Sequence, residues 1–281
     1  MTASKKTSRD VTFAKIAYAL AQRNYPLYRR RKSKKTFSQP QLVACVLLLM
    51  YLNQSYRDFE EGLYASDQVG AALELKRVPG HSTLNRAFHR LTETRLRRRL
   101  ASLLKQLKVK DEVVAGDSTG YSLSHASADY RTRSGQRFRG WIKGSYAVGT
   151  QSQLILAAYG SRRNSPNEAQ MLQPLRHGAQ PYVRQGYWLF LADAGFDCQA
   201  VTARDIIPPI RRGGRLVAPQ RKARAELVAQ ARLDGLLGQR GKTETVHSVI
   251  KRKFGDQIRS TLKSRQNREP IIKAVVYNIH R

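Results

Sequence analysis

Residues 240–255, RGKTETVHSVIKRKFG, carry a single acid, Glu244, within a strongly basic stretch. Arg240 lies four residues before Glu244, and Lys251 lies seven residues after it. These offsets place all three side chains on roughly one face of an α-helix. The stretch alone fits a surface Arg–Glu pair as well as it fits a metal-binding carboxylate, so acids elsewhere in the chain must decide.

Two other acids follow short apolar stretches of the sequence. Residues 112–117, EVVAGD, predict a strand that ends at Asp117. Residues 187–193, YWLFLAD, predict a second strand that ends at Asp193. Functional residues of α/β sheets gather at the carboxyl ends of strands, although an aspartate before a glycine is also common turn chemistry. Together with Glu244, the two aspartates favour one acidic site.

The three acids predict a metal centre. Carboxylates that converge repel one another unless a cation lies between them. Mg²⁺ prefers such oxygen ligands, and Mn²⁺ is the alternative ion. Two metal ions in one site can stabilise both the attacking and the leaving oxygen of a phosphodiester displacement. We therefore predict that Asp117, Asp193 and Glu244 are both catalytic and metal-binding, with two ions per site.

The charge of the chain predicts a polyanionic partner. Lys and Arg number 51 against 20 Asp and Glu, which gives a formal net charge of +31. Nucleic acid is the usual partner of such a protein, while nonspecific binding to an acidic membrane or to ribosomal surfaces is the alternative. A hydrophobic content of 41% supports a folded globular protein.

No targeting or membrane signal is expected from the sequence. The longest apolar run, residues 42–52, is too short to cross a bilayer. Cys45 and Cys198 have no metal-ligand spacing and fit reduced thiols. We predict a cytoplasmic, nucleoid-associated protein without a membrane partner.

The periodicity of the sequence predicts three parts. Residues 1–36 form a basic helix and arm, residues 37–110 form an all-α DNA-binding domain, and residues 111–281 form an α/β catalytic domain. Helices are predicted at residues 10–24, 38–52, 56–64, 82–91, 92–110, 168–178, 202–207, 223–238, 240–255 and 269–280. Strands are predicted at residues 112–117, 140–150, 153–159, 187–193 and 214–219.

Several basic residues are candidate DNA contacts. The helix that Ser82 or Thr83 would cap presents Arg86 and Arg90 on its polar face, and it fits either a helix-turn-helix-like reader or an ordinary bundle helix. Lys143 on a strand fits a phosphate contact as well as a solvated lysine. The remaining candidates, which would extend a phosphate track along the helix of residues 240–255, are Arg252 and Lys253.

Several motifs together resemble those of insertion-sequence DDE transposases. One branch of that family has a Tyr-x2-Arg-x3-Glu-x6-Lys signature, and Arg240, Glu244 and Lys251 match its last three positions, with Leu237 at the tyrosine position. His247 stands where family members often have Phe, and we interpret it as a packing residue. The segments that carry the resemblance are VAGDSTG at 114–120, LADAGFD at 191–197, residues 240–255, KAVVYNI at 273–279, SYRD at 55–58 and VPGHSTL at 78–84.

The resemblance implies an α/β fold with an RNase H-like mixed sheet flanked by helices and preceded by an all-α domain. It implies that Asp117, Asp193 and Glu244 are the metal-binding triad, and that Arg240 and Lys251 contact phosphates of the transposon end. The expected activity is binding of terminal inverted repeats, followed by metal-dependent DNA cleavage and strand transfer. The expected partners are double-stranded DNA and a second copy of the chain.

Two alternatives remain open at this stage. An RNase H-like nuclease without strand transfer would share the same triad. A transposase-derived DNA-binding protein without activity would share the basic charge. An aspartyl-phosphate phosphohydrolase built on Asp117 fits less well, because Thr119 stands where that chemistry has a second acid.

Overall fold

The computed structural model describes residues 8–32, 34–123, 141–162, 167–211, 213 and 218–281. The chain forms two compact units. One comprises Met1–Leu103 with Val275–Arg281, and the other comprises Leu104–Ala274. The functional division into residues 1–36, 37–110 and 111–281 stays a prediction.

The helices of the N-terminal part follow the predicted order. Ser38 begins α2 with a capping box, in which its side chain accepts from the Gln41 amide while the Gln41 side chain accepts from the Ser38 amide. The sequence of α2 is apolar nearly all round, which predicts a buried helix, and α2 is indeed buried on almost every side. Helix α1 packs on it through stacked rings of Phe13 and Tyr51. The helices are α1 (Arg9–Asn24), α2 (Gln39–Tyr51), α3 (Tyr56–Tyr64), α4 (Asp67–Ala72), α5 (His81–Arg90) and α6 (Glu93–Gln106).

Three predicted details of this part are wrong. Helix α4 was not predicted, and α5 begins at His81, before either predicted cap. The Glu60 carboxylate accepts a hydrogen bond from the His81 amide at 2.7 Å, so a side chain from another helix satisfies the start of α5. The helical pattern of residues 92–110 also predicts that Arg99 faces outward. Arg99 is instead buried, and its guanidinium lies 3.9 Å from the centre of the Tyr25 ring.

The C-terminal unit contains a mixed five-stranded sheet of order β3-β2-β1-β4-β5. Strands β1, β2 and β3 pair antiparallel, whereas β4 pairs parallel with β1 and with β5. The strands are β1 (Val113–Ser122), β2 (Trp141–Gly149), β3 (Ile155–Ser161), β4 (Leu189–Leu191) and β5 (Asp205–Ile206).

Helices flank this sheet, and the helix Gly241–Phe254, α9, packs against β1 and β2. The short 3-10 turn Ala194–Phe196 follows β4, and a second one, Leu236–Arg240, precedes α9. The predicted fold class, an RNase H-like mixed sheet flanked by helices and preceded by an all-α region, is confirmed. The remaining helices are α7 (Glu168–Ala179), α8 (Pro219–Leu233), α9 (Gly241–Phe254), α10 (Lys263–Gln266) and α11 (Arg268–His280).

Two predicted strand boundaries are wrong at the site itself. Strand β1 does not end at Asp117 but continues to Ser122, so the aspartate lies in mid-strand opposite Tyr146. Only residues 113–115 pair with β4. Beyond residue 115, β1 pairs only with β2 among the described strands. A strand with one neighbour tolerates polar residues, so the apolar pattern of the sequence ends before the strand does. Strand β4 is also shorter than predicted and ends two residues before Asp193.

The stretch predicted as a helix at residues 202–207 contains β5 instead. Asp205 accepts hydrogen bonds from the amide and hydroxyl of Thr202 and pairs with Arg176, which fixes a turn rather than a helix. Of the strand predicted at residues 214–219, residues 214–217 lie outside the described residues, and Pro219 begins α8.

The end of α9 is anchored by a buried cation. The Lys273 side chain, only 2% exposed, donates to the carbonyl oxygens of Gly255 and Gln257. A cation at this place also complements the helix dipole. Burial lowers the pKa of Lys273 to about 8.

None of the helices in the described part of the chain has the length and hydropathy that a membrane span requires.

Candidate active site

Asp117 lies at the centre of the candidate site. Its Oδ1 accepts a hydrogen bond from the Ser118 amide at 2.7 Å, and its Oδ2 accepts one from the Thr243 hydroxyl at 3.3 Å. The preceding residue, Gly116, has no room for a side chain, because a Cβ there would collide with the Phe190 ring of β4. The close approach of that ring to β1 therefore depends on glycine beside the acid.

The environment of Asp117 disfavours its charged form. Burial is the main cause that raises its pKa, and the charge of Asp193 adds to the rise. The Ser118 amide, the charge of Arg240 and the Thr243 hydroxyl act in the opposite direction. Asp117 and Asp193 are therefore close enough to repel each other, which is the situation that a bound cation would relieve.

Asp193 begins the 3-10 turn Ala194–Phe196 that follows β4. Its Oδ1 accepts from the Gly195 amide at 3.0 Å. A Cβ on Gly195 would lie 3.0 Å from Asp193 Oδ1 and would collide with Glu168 Oε2. Because both carboxylates lie against one glycine, Glu168 is a second acidic neighbour of Asp193.

Glu168 occupies the first turn of α7, where the helix dipole favours a carboxylate. Asn167 caps this helix by accepting from the Gln170 amide at 3.1 Å. The Glu168 Oε1 atom lies 3.2 Å from Lys143 Nζ of β2. The predicted DNA contact Lys143 is therefore paired with an acid of the site.

Glu244, the third predicted ligand, is exposed in the first turn of α9. The residues of α9 that face Asp117 are Thr243, one position before it, and His247, three positions after it. Successive helical residues are about 100° apart around the axis, so the helix presents the neighbour of Glu244 to Asp117. The structure brings Asp117 and Asp193 together and leaves Glu244 outside that pair.

The donor set fits a divalent ion in part. Asp117 and Asp193 supply the hard carboxylate oxygens that Mg²⁺ and Mn²⁺ accept. Among the residues that the structure describes, no three acidic, histidine or cysteine side chains are arranged to hold a metal ion. The metal and catalytic roles of Asp117, Asp193 and Glu244 therefore stay predictions.

His247 was predicted as a packing residue, and its ring does lie beside a buried aromatic ring. The centroid of Tyr146 is 5.4 Å away. The imidazole also faces the site, because its Nδ1 atom lies 3.7 Å from Asp117 Oδ2. Burial, together with the charge of Lys251, lowers the pKa of His247 to about 4.

The predicted basic contacts on α9 lie around this site. Arg240 is half-buried, and its charge acts on Asp117. Lys251 is also half-buried, with its Nζ atom 5.9 Å from the centre of the Tyr121 ring. Arg252 and Lys253 are exposed on the last turn of the helix. Their roles in DNA binding stay predictions.

In the helical unit, Arg86 and Arg90 are exposed on α5. Partial burial is the first cause that lowers the pKa of Arg90, followed by the charges of Arg29 and Arg86. The basic arm thus contributes Arg29 to the same positive cluster. Helix α4 lies between α3 and α5 in the sequence, so the predicted short-helix, turn and helix motif contains an additional helix.

Leu237, at the position of the signature tyrosine, is a packing residue here. It packs, partly buried, against an apolar cluster under the sheet. An apolar side chain at this position therefore stabilises the turn before α9. The buried members of the cluster are Ala115, Leu191, Ile206, Val228 and Ala231.

With this geometry the chain is an α/β protein with an RNase H-like core. A family model described as Transposase DDE domain matches residues 108–279, which is more than half of the chain. The chain therefore belongs to the transposase DDE domain family, and the predicted resemblance is confirmed. Membership implies a transposase, an enzyme class that acts on DNA and generally uses divalent metals. No individual curated protein matches the chain.

Sequence reasoning missed two neighbours of the aspartates. Glu168 was interpreted only as the start of a helix, although an acid directly after a capping Asn is a signal for a helix N-terminus that can point at a site. Thr243 gave no signal, because a threonine inside a helix is common. Its contact with Asp117 depends on the rotation of α9, which the spacing of Arg240, Glu244 and Lys251 predicts only approximately.

Proposed function

We propose that the chain is a DNA transposase that binds the terminal inverted repeats of its insertion sequence and catalyses strand cleavage and strand transfer. The observation that carries the proposal is the approach of Asp117 to Asp193 beside α9, within a DDE-family core. Asp117 lies on β1 and Asp193 lies two residues beyond the end of β4, the strand that runs parallel to β1. Two acids placed in this way, one of them destabilised by the charge of the other, are suited to hold a cation against a phosphate.

Asp117, Asp193 and Glu244 would hold two Mg²⁺ or Mn²⁺ ions. When bound, such ions supply an activated water and stabilise the departing 3′ oxygen. The Ser118 amide and the Thr243 hydroxyl orient the Asp117 carboxylate. The side chain of Glu244 would turn from solvent toward the aspartates to complete the set.

The basic residues around α9 would bind the DNA backbone. Arg240 and Lys251 would contact phosphates next to the scissile bond, and Arg252 and Lys253 would extend that track. Lys143 would exchange its ion pair with Glu168 for a phosphate. In the helical unit, Arg86 and Arg90 would bind the inverted repeat, largely through phosphates with some base readout.

Two chains would pair, because two transposon ends must be joined in one complex. The DNA partners are the transposon ends and the target duplex. Such a protein would act in the cytoplasm, at the nucleoid. The net charge of +31 supports an affinity that falls steeply with salt concentration.

The test is a cleavage assay with duplex DNA that carries the ends of the element. The unmutated protein is expected to nick the ends with Mg²⁺ or Mn²⁺ and not with chelator. Glu244→Gln and Asp117→Asn should retain DNA binding and lose at least about 10²-fold in cleavage rate, as expected for loss of preorganised electrostatic stabilisation. Joined products separate strand transfer from simple hydrolysis, so cleavage without joining would favour the nuclease alternative.

The exposure of Glu244 favours one alternative, a DNA-binding protein without activity. In that case the unmutated chain would bind the ends tightly with any metal and leave them intact. Exposed Arg252→Ala serves as a matched control for the helix, because it removes one charge and should change binding without abolishing cleavage.

A further inference from the structure

Helix α5 presents a wide polar face to solvent. Its opposite side is formed by Leu84, Ala87 and Phe88, which are all buried. Because successive residues are about 100° apart around the helix axis, the direction opposite this buried side lies about 30° from Arg86 and about 70° from Arg90. Both arginines are exposed. The helix therefore points one cation outward and places the other on its flank.

The outward face of α5 carries hydrogen-bonding side chains without a carboxylate. Ser82 lies one turn before Arg86 and His89 lies one turn after it, and both are exposed. None of the 10 residues of α5 is acidic. The Glu60 carboxylate at the start of the helix is paired with His81, whose Nδ1 atom lies 2.8 Å from it. Such a face fits the major groove of DNA, which admits an α-helix and displays donors and acceptors of the bases.

Neighbouring helices fix the direction of this face. Helix α5 packs against α2 and α3 in the same compact unit. Glu60 of α3 also accepts a hydrogen bond from the first amide of α5, at 2.7 Å. Helices that read DNA are supported by a second helix in the same way. The support keeps the outward side chains at fixed positions, which the recognition of individual bases requires.

The flank of α5 is a separate positive cluster. The pKa of Arg90 is lowered first by partial burial and then by the charges of Arg29 and Arg86. Arg29 belongs to the basic arm and is exposed. Like charges that lie close together repel one another unless an opposite charge relieves them. A backbone phosphate beside Arg90 would supply that charge, and it would be held from both the arm and the helix.

We propose that Arg86 recognises a guanine in the major groove of the transposon end, while Arg90 and Arg29 bind neighbouring backbone phosphates. The planar fork of arginine matches the O6 and N7 acceptors of guanine, which is the commonest specific contact in this groove. This inference rests on the proposed function, because it concerns the same bound DNA. It divides the arginines of one helix into a residue that determines sequence preference and residues that determine affinity.

Arg86→Ala and Arg90→Ala are the matched variants, because they remove the same charge from neighbouring turns of one helix. Arg98→Ala removes an exposed arginine of α6 and is the control for the loss of one charge. The binding of each full-length protein is measured on a duplex that carries one end of the element. A set of duplexes in which each base pair is substituted in turn gives the sequence preference, and a salt series gives the number of phosphate contacts.

The two variants are expected to fail in different ways. Arg86→Ala should reduce the preference for one G·C pair at least about fivefold and leave the preference at the other positions unchanged. Arg90→Ala should weaken binding to all duplexes alike and lower the slope of log affinity against log salt concentration by about 1. Arg90→Lys, which keeps the charge, should bind almost as the unmutated chain does.

A modified base tests the proposed contact directly. 7-Deazaguanine lacks the N7 acceptor but still pairs with cytosine. At the position that Arg86 recognises, this base should weaken the unmutated chain, Arg90→Ala and Arg98→Ala by the same factor. It should leave the affinity of Arg86→Ala unchanged, because that variant has already lost the contact.

The outcomes separate this inference from the proposed function. An unchanged sequence preference in Arg86→Ala, or an equal effect of 7-deazaguanine on that variant, would overturn the guanine contact and leave the proposed function standing. A loss of preference at a single position in Arg90→Ala would overturn the assignment of Arg90 to a phosphate. An unmutated chain that binds every duplex alike would instead overturn the recognition of inverted repeats, and with it the proposed function.

Discussion

The two ends of α9 are held in different ways. At its last turn, Phe254 is 2% exposed and Lys273 donates to the Gly255 carbonyl, so the end is fixed by buried groups. At its first turn, Gly241 has open space around it and the helix has no side-chain cap. Glu244 lies in this uncapped first turn, and its side chain is exposed. The neighbouring Thr243 holds the same turn to Asp117 through its hydroxyl, so completion of the proposed site requires a movement of the Glu244 side chain rather than of the helix.

The largest effect is expected from Lys273→Ala at the fixed end. The change removes a buried side chain and leaves the carbonyls of Gly255 and Gln257 without their donor. Together these losses should lower the free energy of unfolding by about 3 kcal/mol or more. Chemical denaturation would measure it, with exposed Arg252→Ala as the control at the same turn. Equal effects of the two changes would contradict the anchoring role.

Gly116→Ala, next to Asp117, should lower the free energy of unfolding almost as much as Lys273→Ala does. The new Cβ would collide with the Phe190 ring and force β1 and β4 apart, at a cost of about 1–3 kcal/mol. Gly70→Ala in α4 is the control, because nothing lies near its added Cβ, and it should be neutral or stabilising. A well-tolerated Gly116→Ala would show that the spacing of the two strands is not fixed.

The lowered pKa of Lys273, which anchors the last turn of α9, also predicts that the free energy of unfolding depends on pH. The pKa of Lys273 is lowered to about 8 in the folded chain, from 10.5. Between these values the unfolded chain binds more protons, so stability should rise with pH by up to about 1.4 kcal/mol per pH unit. Denaturation at pH 8 to 9.5 would measure the slope, and Lys273→Met should lack it. A slope that persists in the variant would assign the effect to other groups.

The glycines at the two ends of α9 should respond to alanine with opposite signs. Gly255 has φ 84° and ψ 146°, so Gly255→Ala should destabilise the chain by about 1–3 kcal/mol. Gly241 has φ −57°, which alanine adopts freely, so Gly241→Ala should stabilise the chain by about 0.4–1 kcal/mol. Thermal denaturation of both variants gives the comparison directly. Shifts of the same sign would mean that the two ends are equally constrained.

Sequence periodicity predicted much of the fold, because apolar spacing reports which face of an element is buried. It predicted α3 at its observed bounds and the hairpin of β2 and β3 closely. It failed for β1 beyond Asp117, since a strand with one described neighbour carries polar residues. It also failed for β5, where the hydrogen bonds of Asp205 to Thr202 override the local helical pattern.

The candidate site was only partly predictable for a related reason. Asp117 and Asp193 could be found because each follows an apolar stretch along its own segment of chain. Glu168 and Thr243 reach the site through the placement of whole helices, which no local pattern records. Thr243 faces Asp117 although it is only one residue, or about 100° around the helix axis, away from Glu244. The spacing of four and seven residues between the signature positions of α9 is too coarse to predict which of these two neighbours faces the site.

The ion pair between Lys143 and Glu168 has a thermodynamic consequence. Without DNA, the lysine neutralises an acid that neighbours Asp193. A phosphate that takes Lys143 would leave that acid uncompensated and make the site more attractive to a cation. Linkage requires the reverse as well, so a bound cation would raise the affinity for the phosphate by the same factor. If Lys143 exchanges Glu168 for a DNA phosphate, the binding of DNA and the binding of the metal ion would thus become cooperative.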